Sequence, residues 1–218
     1  MKAHVITFPG SNCDKDVGTV LANEYNANVS YVWHRDHFED MPDLVVLPGG
    51  FSFGDYLRCG AMARFSPAME SVFSYVKKGG KVLGICNGFQ ILTESGLLPG
   101  ALLHNRSLKY ICKDVDLLPV KNNSISGNIK NVSLSIPIAH GEGAFFADAE
   151  GLKKIEDSGS VVFRYKENPN GSLNDIAGIC DEKGNVIGMM PHPERAINPY
   201  TGNVDGKIIL DAVIRKLS

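Results

Sequence analysis

The stretch Lys81 to Leu98, KVLGICNGFQILTESGLL, carries the reading of the fold. Val82, Leu83 and Ile85 form a short apolar run of the kind that a parallel sheet buries on both faces. Phe89, Ile91 and Leu92, followed by Ser95-Gly96, predict a short helix with a glycine stop. Between strand and helix stands Gly84-Ile85-Cys86-Asn87-Gly88, a G-x-nucleophile-x-G elbow with cysteine where hydrolases often carry serine. Gly84 and Gly88 remove side chains that would collide at so sharp a turn. Such a turn lifts the Cys86 sulfur out of the sheet and sets it at a helix N-terminus, where the dipole favours thiolate. It also aims the Asn87 backbone N–H at the space where an oxyanion would form. Taken alone, the elbow reads more readily as a buried structural cysteine after a strand, with glycines that merely pack.

Upstream of this stretch, Ala3–Phe8, Val29–Trp33 and Asp43–Leu47 read as strands. Helices are predicted over Cys13–Asn26 and Ser66–Lys78. Strands alternating with helices predict an α/β fold: an open, mostly parallel twisted sheet with helices on both faces. After Gly100 the texture changes. Leu108–Val120, Val132–Ala139, Val161–Lys166, Ile176–Cys180 and Val186–Met190 read as strands, the last two joined as a hairpin through Asp181–Asn185. This half predicts a small antiparallel extension, with an amphipathic helix over Val204–Leu217 closing a single domain, residues 1–218.

The third strand ends in Pro48-Gly49-Gly50-Phe51-Ser52-Phe53-Gly54-Asp55. A glycine-rich loop at the C-terminal end of a strand is where open α/β sheets place their sites. It lacks the patterns of a phosphate cradle, so the reading is that Gly49-Gly50 brings a bare backbone N–H to a substrate carbonyl. The C-terminal hairpin runs into Met190-Pro191-His192-Pro193-Glu194-Arg195. Prolines flanking His192 predict an extended chain, with Glu194 alongside to orient the ring and the other nitrogen facing a nucleophile.

The other residues of chemical interest carry blander expectations. Cys13, near the start of a helix, is the rival nucleophile, but it has no elbow and reads as a packing or capping residue. His34 and His37 read as a solvated loop rather than a metal pair, and His104 as structural. His140, in Ala139-His140-Gly141-Glu142-Gly143, ends a strand and could line a pocket. Phe51, Phe53 and Tyr56 fit either a partner-facing patch or the core.

The chain has 218 residues and a net charge of −2, which gives no sign of a nucleic-acid or membrane partner. Its five cysteines are scattered without a C-x-x-C pair, so neither a disulfide framework nor a zinc motif is expected, and a reducing cytoplasm fits best. No apolar run is long enough for a membrane span.

Three segments in order, LPGGFSFGD, GICNGFQ and MPHPE, resemble the class I (triad) glutamine amidotransferases. PGGFSFGDYLRCGAMAR, PIAHGEG, FRYKENPNGS and IAGICDEKGNVIGMMPHPER are similar to the glutaminase subunits of phosphoribosylformylglycinamidine synthase of the small, multi-subunit type. The resemblance spans the chain but says little around Lys121–Lys130. It implies that Cys86 is the nucleophile, His192 the general base and acid, and Glu194 its orienting partner. Gly50 and Asn87 match the backbone positions of the oxyanion hole, Gln90 a position that holds glutamine, and His140 and Gly141 neighbours of the glutamine's amino-acid end.

The implied activity is hydrolysis of glutamine to glutamate and ammonia. The ammonia goes to a synthetase subunit for ATP-dependent amidine formation in purine biosynthesis, with a small bridging subunit. No metal or cofactor is expected in this chain; ATP and Mg are expected on the synthetase. The alternatives are a glutaminase or cysteine hydrolase of another pathway on the same fold, and a scaffold subunit without turnover.

Overall fold

In a computed structural model, which describes residues 1–130, 133–200 and 202–217, the described residues form eleven strands and five α-helices, and the first half follows the predicted alternation. The first half contains β1 (Lys2–Thr7), α1 (Asp14–Tyr25), β2 (Asn28–Trp33), β3 (Leu44–Leu47), α2 (Pro67–Lys77), β4 (Val82–Ile85) and α3 (Asn87–Glu94). The second contains β5 (Ala101–His104), β6 (Ile111–Pro119), β7 (Leu134–His140), β8 (Glu142–Phe146), α4 (Ala149–Asp157), β9 (Val161–Tyr165), β10 (Ile176–Cys180), β11 (Val186–Met189) and α5 (Asp205–Leu217).

Nine strands form one sheet in the order β2-β1-β3-β4-β11-β10-β9-β6-β7. From β2 to β11 the pairs are parallel, and from β11 to β7 they are antiparallel. Every residue of β3, β4, β10 and β11 is buried, as a central strand covered on both faces requires. β11 is central because β4 accepts it in register, Gly84 opposite Gly188. The last strand of the chain therefore enters beside the elbow strand and carries the following segment, with His192, to Cys86. On one side α1 and α5 are tied by a hydrogen bond from the Tyr25 hydroxyl to Asp211 (2.8 Å). β5 and β8 form a separate antiparallel pair, the small flanking sheet of the second half.

Several local expectations change. The strand expected from Leu108 begins at Ile111, because Leu108 adopts the left-handed region (φ 54°) in a turn. The expected start of the next strand, Val132, lies outside the described residues, and the strand runs Leu134–His140. Sequence patterning does not announce β5, β8 or α4. The signals for α4 are small: Asp148 caps it by accepting from the Gly151 N–H (2.7 Å), and only Ile155 is fully buried on its inner face. Lys121–Lys130, polar in sequence, is an ordered turn in which Asn123 Oδ1 accepts from Ile125 N–H (2.8 Å) and its Nδ2 donates to the Gly159 carbonyl (2.8 Å). Among the described residues, no helix is long and apolar enough to cross a membrane.

Candidate functional site

Cys86 sits where β4 turns into α3, with φ 51° and ψ −106°, a conformation that L residues rarely adopt. The strain is sustained from both sides of the turn. The Cys86 N–H donates to the Met189 carbonyl of β11 (2.8 Å), while the Cys86 carbonyl accepts from Phe89 N–H (2.9 Å) and Gln90 N–H (3.1 Å). Gly88 is required by proximity: a Cβ there would stand 1.9 Å from the Leu47 carbonyl oxygen. Cys86 is buried, 4% exposed, and its sulfur lies 3.7 Å from the Ala139 carbonyl oxygen of β7.

The Gly49–Gly50 loop is laced to the segment after β1. Phe51 N–H donates to the Gly10 carbonyl (2.9 Å) and Cys13 N–H to the Gly49 carbonyl (3.2 Å). Gly50 has φ 148°, which favours glycine, and a Cβ there would meet the Gly10 carbonyl at 2.8 Å. Asn87 is the first residue of α3, so its backbone N–H has no intrahelical acceptor. The Asn87 side chain joins the loop to the elbow: Oδ1 accepts from Ser52 N–H (3.2 Å), and Nδ2 donates to Gln90 Oε1 (2.9 Å). Gln90 Nε2 in turn donates to the Glu142 carbonyl (2.5 Å). Asn87, Gln90 and the loop that carries Gly50 thus belong to one hydrogen-bonded unit.

His192 and Glu194 lie together, as the sequence predicts, but on a different backbone. His192 is extended (φ −102°, ψ 83°), whereas Pro193–Arg195 is a single 3-10 turn. The turn, rather than a continuing strand, folds the carboxylate back so that His192 Nδ1 and Glu194 Oε1 are 2.7 Å apart. The His192 N–H donates to the Pro137 carbonyl of β7 (2.9 Å), which fixes the segment beneath the elbow. His192 Nε2 and Glu194 Oε2 are both buried without a hydrogen-bond partner. Burial alone would lower the ring's proton affinity. The charges of Glu194 and Cys86, with Cys13 and Cys86 beside the ring, outweigh burial and hold His192 well above the usual histidine range. The arrangement is a buried imidazolium between a carboxylate and thiol groups, able to give a proton to a leaving group and take one back.

His140 and Gly141 lie at the turn from β7 to β8. His140 Nδ1 contacts Asn105 Oδ1 (3.0 Å), and Nε2 faces Asn170 Nδ2 (3.5 Å), so the ring is held as a neutral tautomer by two amides. Burial, with the His192 charge adding to it, lowers its pKa to about 4. Gly141 is open: a Cβ would meet only Tyr110, at 3.8 Å.

The structure extends one other expectation and redraws two. Cys13 is buried at the N-cap position of α1, as expected, and it also lies in the site: Arg195 Nη2 donates to its sulfur (3.2 Å), and the sulfur is 3.1 Å from Asn12 Oδ1. The signal for it is positional, since Cys13 follows the C-terminal end of β1, the same sheet edge that carries Gly50 and Cys86. His34 is buried rather than solvated, packed against Phe8, Trp33 and Phe53, and burial lowers its pKa. His104 is exposed and faces Glu142 (3.4 Å) rather than supporting the interior. Of the three aromatics, Phe53 packs on Phe8, while Phe51 and Tyr56 are exposed. Asn105, which no quoted motif marks, and Asn170, which lies in FRYKENPNGS without having been singled out, hold His140.

Residues 1–208 match the family described as the CobB/CobQ-like glutamine amidotransferase domain. A relative from Leptospira interrogans (serovar copenhageni), phosphoribosylformylglycinamidine synthase subunit PurQ, is 56% identical over 217 residues, covering 98% of this chain and 99% of the relative. The protein of the same name from Trichormus variabilis is 54% identical over 220 residues, covering 100% and 98%. A chain in the structure of PurLQS from Thermotoga maritima superposes with a TM-score of 0.85 at 42% identity, covering 100% of this chain and 99% of that one. A glutamine amidotransferase from Thermotoga maritima shares the fold, with a TM-score of 0.60 at 18% identity over 100% and 96% of the chains.

Proposed function

Since the chain belongs to the CobB/CobQ-like glutamine amidotransferase domain family, we propose that it is the glutaminase subunit of a phosphoribosylformylglycinamidine synthase, working through Cys86, His192 and Glu194. It hydrolyses glutamine and passes ammonia to a synthetase subunit that converts phosphoribosylformylglycinamide to the amidine in purine biosynthesis. The observation that carries the site assignment is the buried His192–Glu194 pair, 2.7 Å apart, facing the strained Cys86 elbow.

The Cys86 thiolate attacks the side-chain carboxamide of glutamine. The oxyanion is received by the backbone N–H groups of Gly50 and Asn87; loss of one such donor costs roughly a hundred- to a thousandfold in rate. His192 gives its proton to the departing ammonia, leaving a glutamyl thioester on Cys86. It then takes a proton from the water that releases glutamate, and Glu194 keeps the ring in one tautomer throughout. Gln90, fixed by Asn87 and the Glu142 carbonyl, presents its remaining amide valences to the substrate. Gly141 and the β7–β8 turn that His140 stiffens border the amino-acid end of glutamine.

The whole chain acts as one glutaminase domain in the cytoplasm. ATP and Mg belong to the synthetase, and a small bridging protein joins the two. Glutamate release is the test: it is measured for the chain alone, then with the synthetase and bridging subunits, ATP and phosphoribosylformylglycinamide. A large rise in the complex that is absent with Cys86→Ala supports the reading. High activity indifferent to those partners removes the pathway assignment, and no activity in any condition removes the catalytic one.

A further inference from the structure

The triad accounts for one thiol at His192, yet two stand beside the ring. Cys13, 3% exposed, lies on the side of His192 that faces Gly49: from the position of a Cβ on Gly49, His192 Cε1 would be 2.7 Å away and Cys13 Sγ 3.1 Å. One donor atom from each of Cys13, His192 and Glu194 lies within 4.8 Å of the others, and all three residues are buried. Glu194 Oε2 is buried without a hydrogen-bond partner. Glutamine hydrolysis uses His192 and Glu194 but gives Cys13 no task.

We propose that Cys13, His192 and Glu194 form an inhibitory site for a borderline-soft divalent cation, with Zn2+ as the ion of choice. The inference rests on the glutaminase reading for its consequence, not for the binding itself. One sulfur, one imidazole nitrogen and one carboxylate oxygen are a zinc donor set, whereas Mg2+ and Ca2+ require oxygen ligands. Zinc bonds of about 2.0–2.3 Å place tetrahedral ligand atoms roughly 3.3–3.8 Å apart, so the cluster closes by a movement of about 1 Å. Charge balances as well. Binding releases the Cys13 thiol proton and the extra ring proton to solvent, and the Cys13 thiolate and Glu194 carboxylate then offset the two positive charges of the ion. Arg195 retains its ion pair with Asp16 (3.0 Å). The ion coordinates His192 through Nδ1, in place of the proton that faces Glu194. Nε2 keeps its own proton, so the metal-bound ring can no longer accept one from Cys86 or from water, and hydrolysis stops until a chelator removes the ion.

The test is a Zn2+ titration of the full chain carrying Cys86→Ala and Cys112→Ser, in competition with a chromogenic chelator. These substitutions remove the nucleophile and the exposed thiol as alternative ligands. The expected result is one ion per chain, with affinity reduced by at least roughly 10- to 100-fold, the loss that an outer-shell change alone brings, on adding Cys13→Ser. Absence of stoichiometric binding, or equal affinity in the Cys13→Ser chain, overturns the proposal. Should Cys13→Ser fail to fold, alkylation decides without it: Zn2+ must slow modification of Cys13, and an unchanged rate overturns the site. Glutamate release by the complex is followed separately with and without Zn2+. A complex that releases glutamate but binds no zinc loses this inference alone, while a chain that binds zinc and never releases glutamate loses only the functional reading.

Discussion

His192 and His140 are buried to nearly the same depth, 2% and 3% exposed, yet their proton affinities shift in opposite directions. His192 faces the Glu194 carboxylate at 2.7 Å and the thiol groups, and its imidazolium persists well above the ordinary range. His140 faces two amides, and its pKa falls to about 4. Burial penalises the charged ring in both pockets, so the neighbours decide the sign. The contrast suits the roles proposed for the two residues: a reacting proton is wanted at Cys86, while a second positive charge close by would be repelled by the first.

Removing each ring in turn tests this contrast most severely. His192→Asn is expected to reduce glutamate release by the complex by roughly ten-thousandfold, whereas His140→Asn leaves at least about a tenth of it. A comparable loss for both would mean that His140 takes part in the chemistry. Replacing only the carboxylate, Glu194→Gln, is expected to lower the rate by roughly a thousandfold. The pH dependence of Cys86 alkylation should shift with it, because the ring has lost the anion that keeps it protonated. An unchanged profile would show that Cys86 alone sets the ring's charge.

Stability reads the same contrast with opposite signs. Lowering the pH protonates His140 in the unfolded chain near its usual 6.5, while the folded chain resists down to about 4. The stability that neutral His140 provides is therefore present above pH 6.5 and lost as pH falls toward 4, by up to about 3 kcal/mol. Chemical denaturation across that window should show the slope, and His140→Asn should flatten it. For His192 the raised value works the other way: its contribution is complete below the ordinary histidine range and is lost as pH rises through the raised one. The mildest change is expected at the turn between the two sites. Gly141→Ala meets nothing nearer than Tyr110 at 3.8 Å and should change stability by no more than about 0.5 kcal/mol. A rise in KM for glutamine with kcat intact would then mark Gly141 as bordering the substrate, and an unchanged KM would remove it from the site.

The reacting groups were legible because each is announced by backbone requirements that its neighbours must meet. Gly84 and Gly88 bracket Cys86, and Pro191 and Pro193 bracket His192. The contact between His192 and Glu194 is foreseen for an incomplete reason, since a 3-10 turn after Pro193 brings the carboxylate back. What escapes are elements with weak local patterns. β5 and β8 pair only with each other, and α4 buries little of its inner face. His34 reads as polar loop until the packing of Phe8 and Phe53 encloses it. Cys13 reads as a helix cap and holds that position, but nothing in residues 1–26 reveals that Arg195 also reaches its sulfur.

The alternation of strands and helices, the elbow and the residue types of the triad follow from the amino-acid sequence alone. They depend on periodicity and on glycine and proline, whose effects are local. Which groups surround each histidine is a matter of tertiary structure. β11 enters the sheet beside β4, far from it in the chain, and carries His192 to Cys86 and Cys13, while the β7–β8 turn sets His140 among Asn105 and Asn170. Proton affinity in a buried site depends on charges and dipoles a few ångströms away. That distance is set by strand pairing rather than by neighbours in sequence.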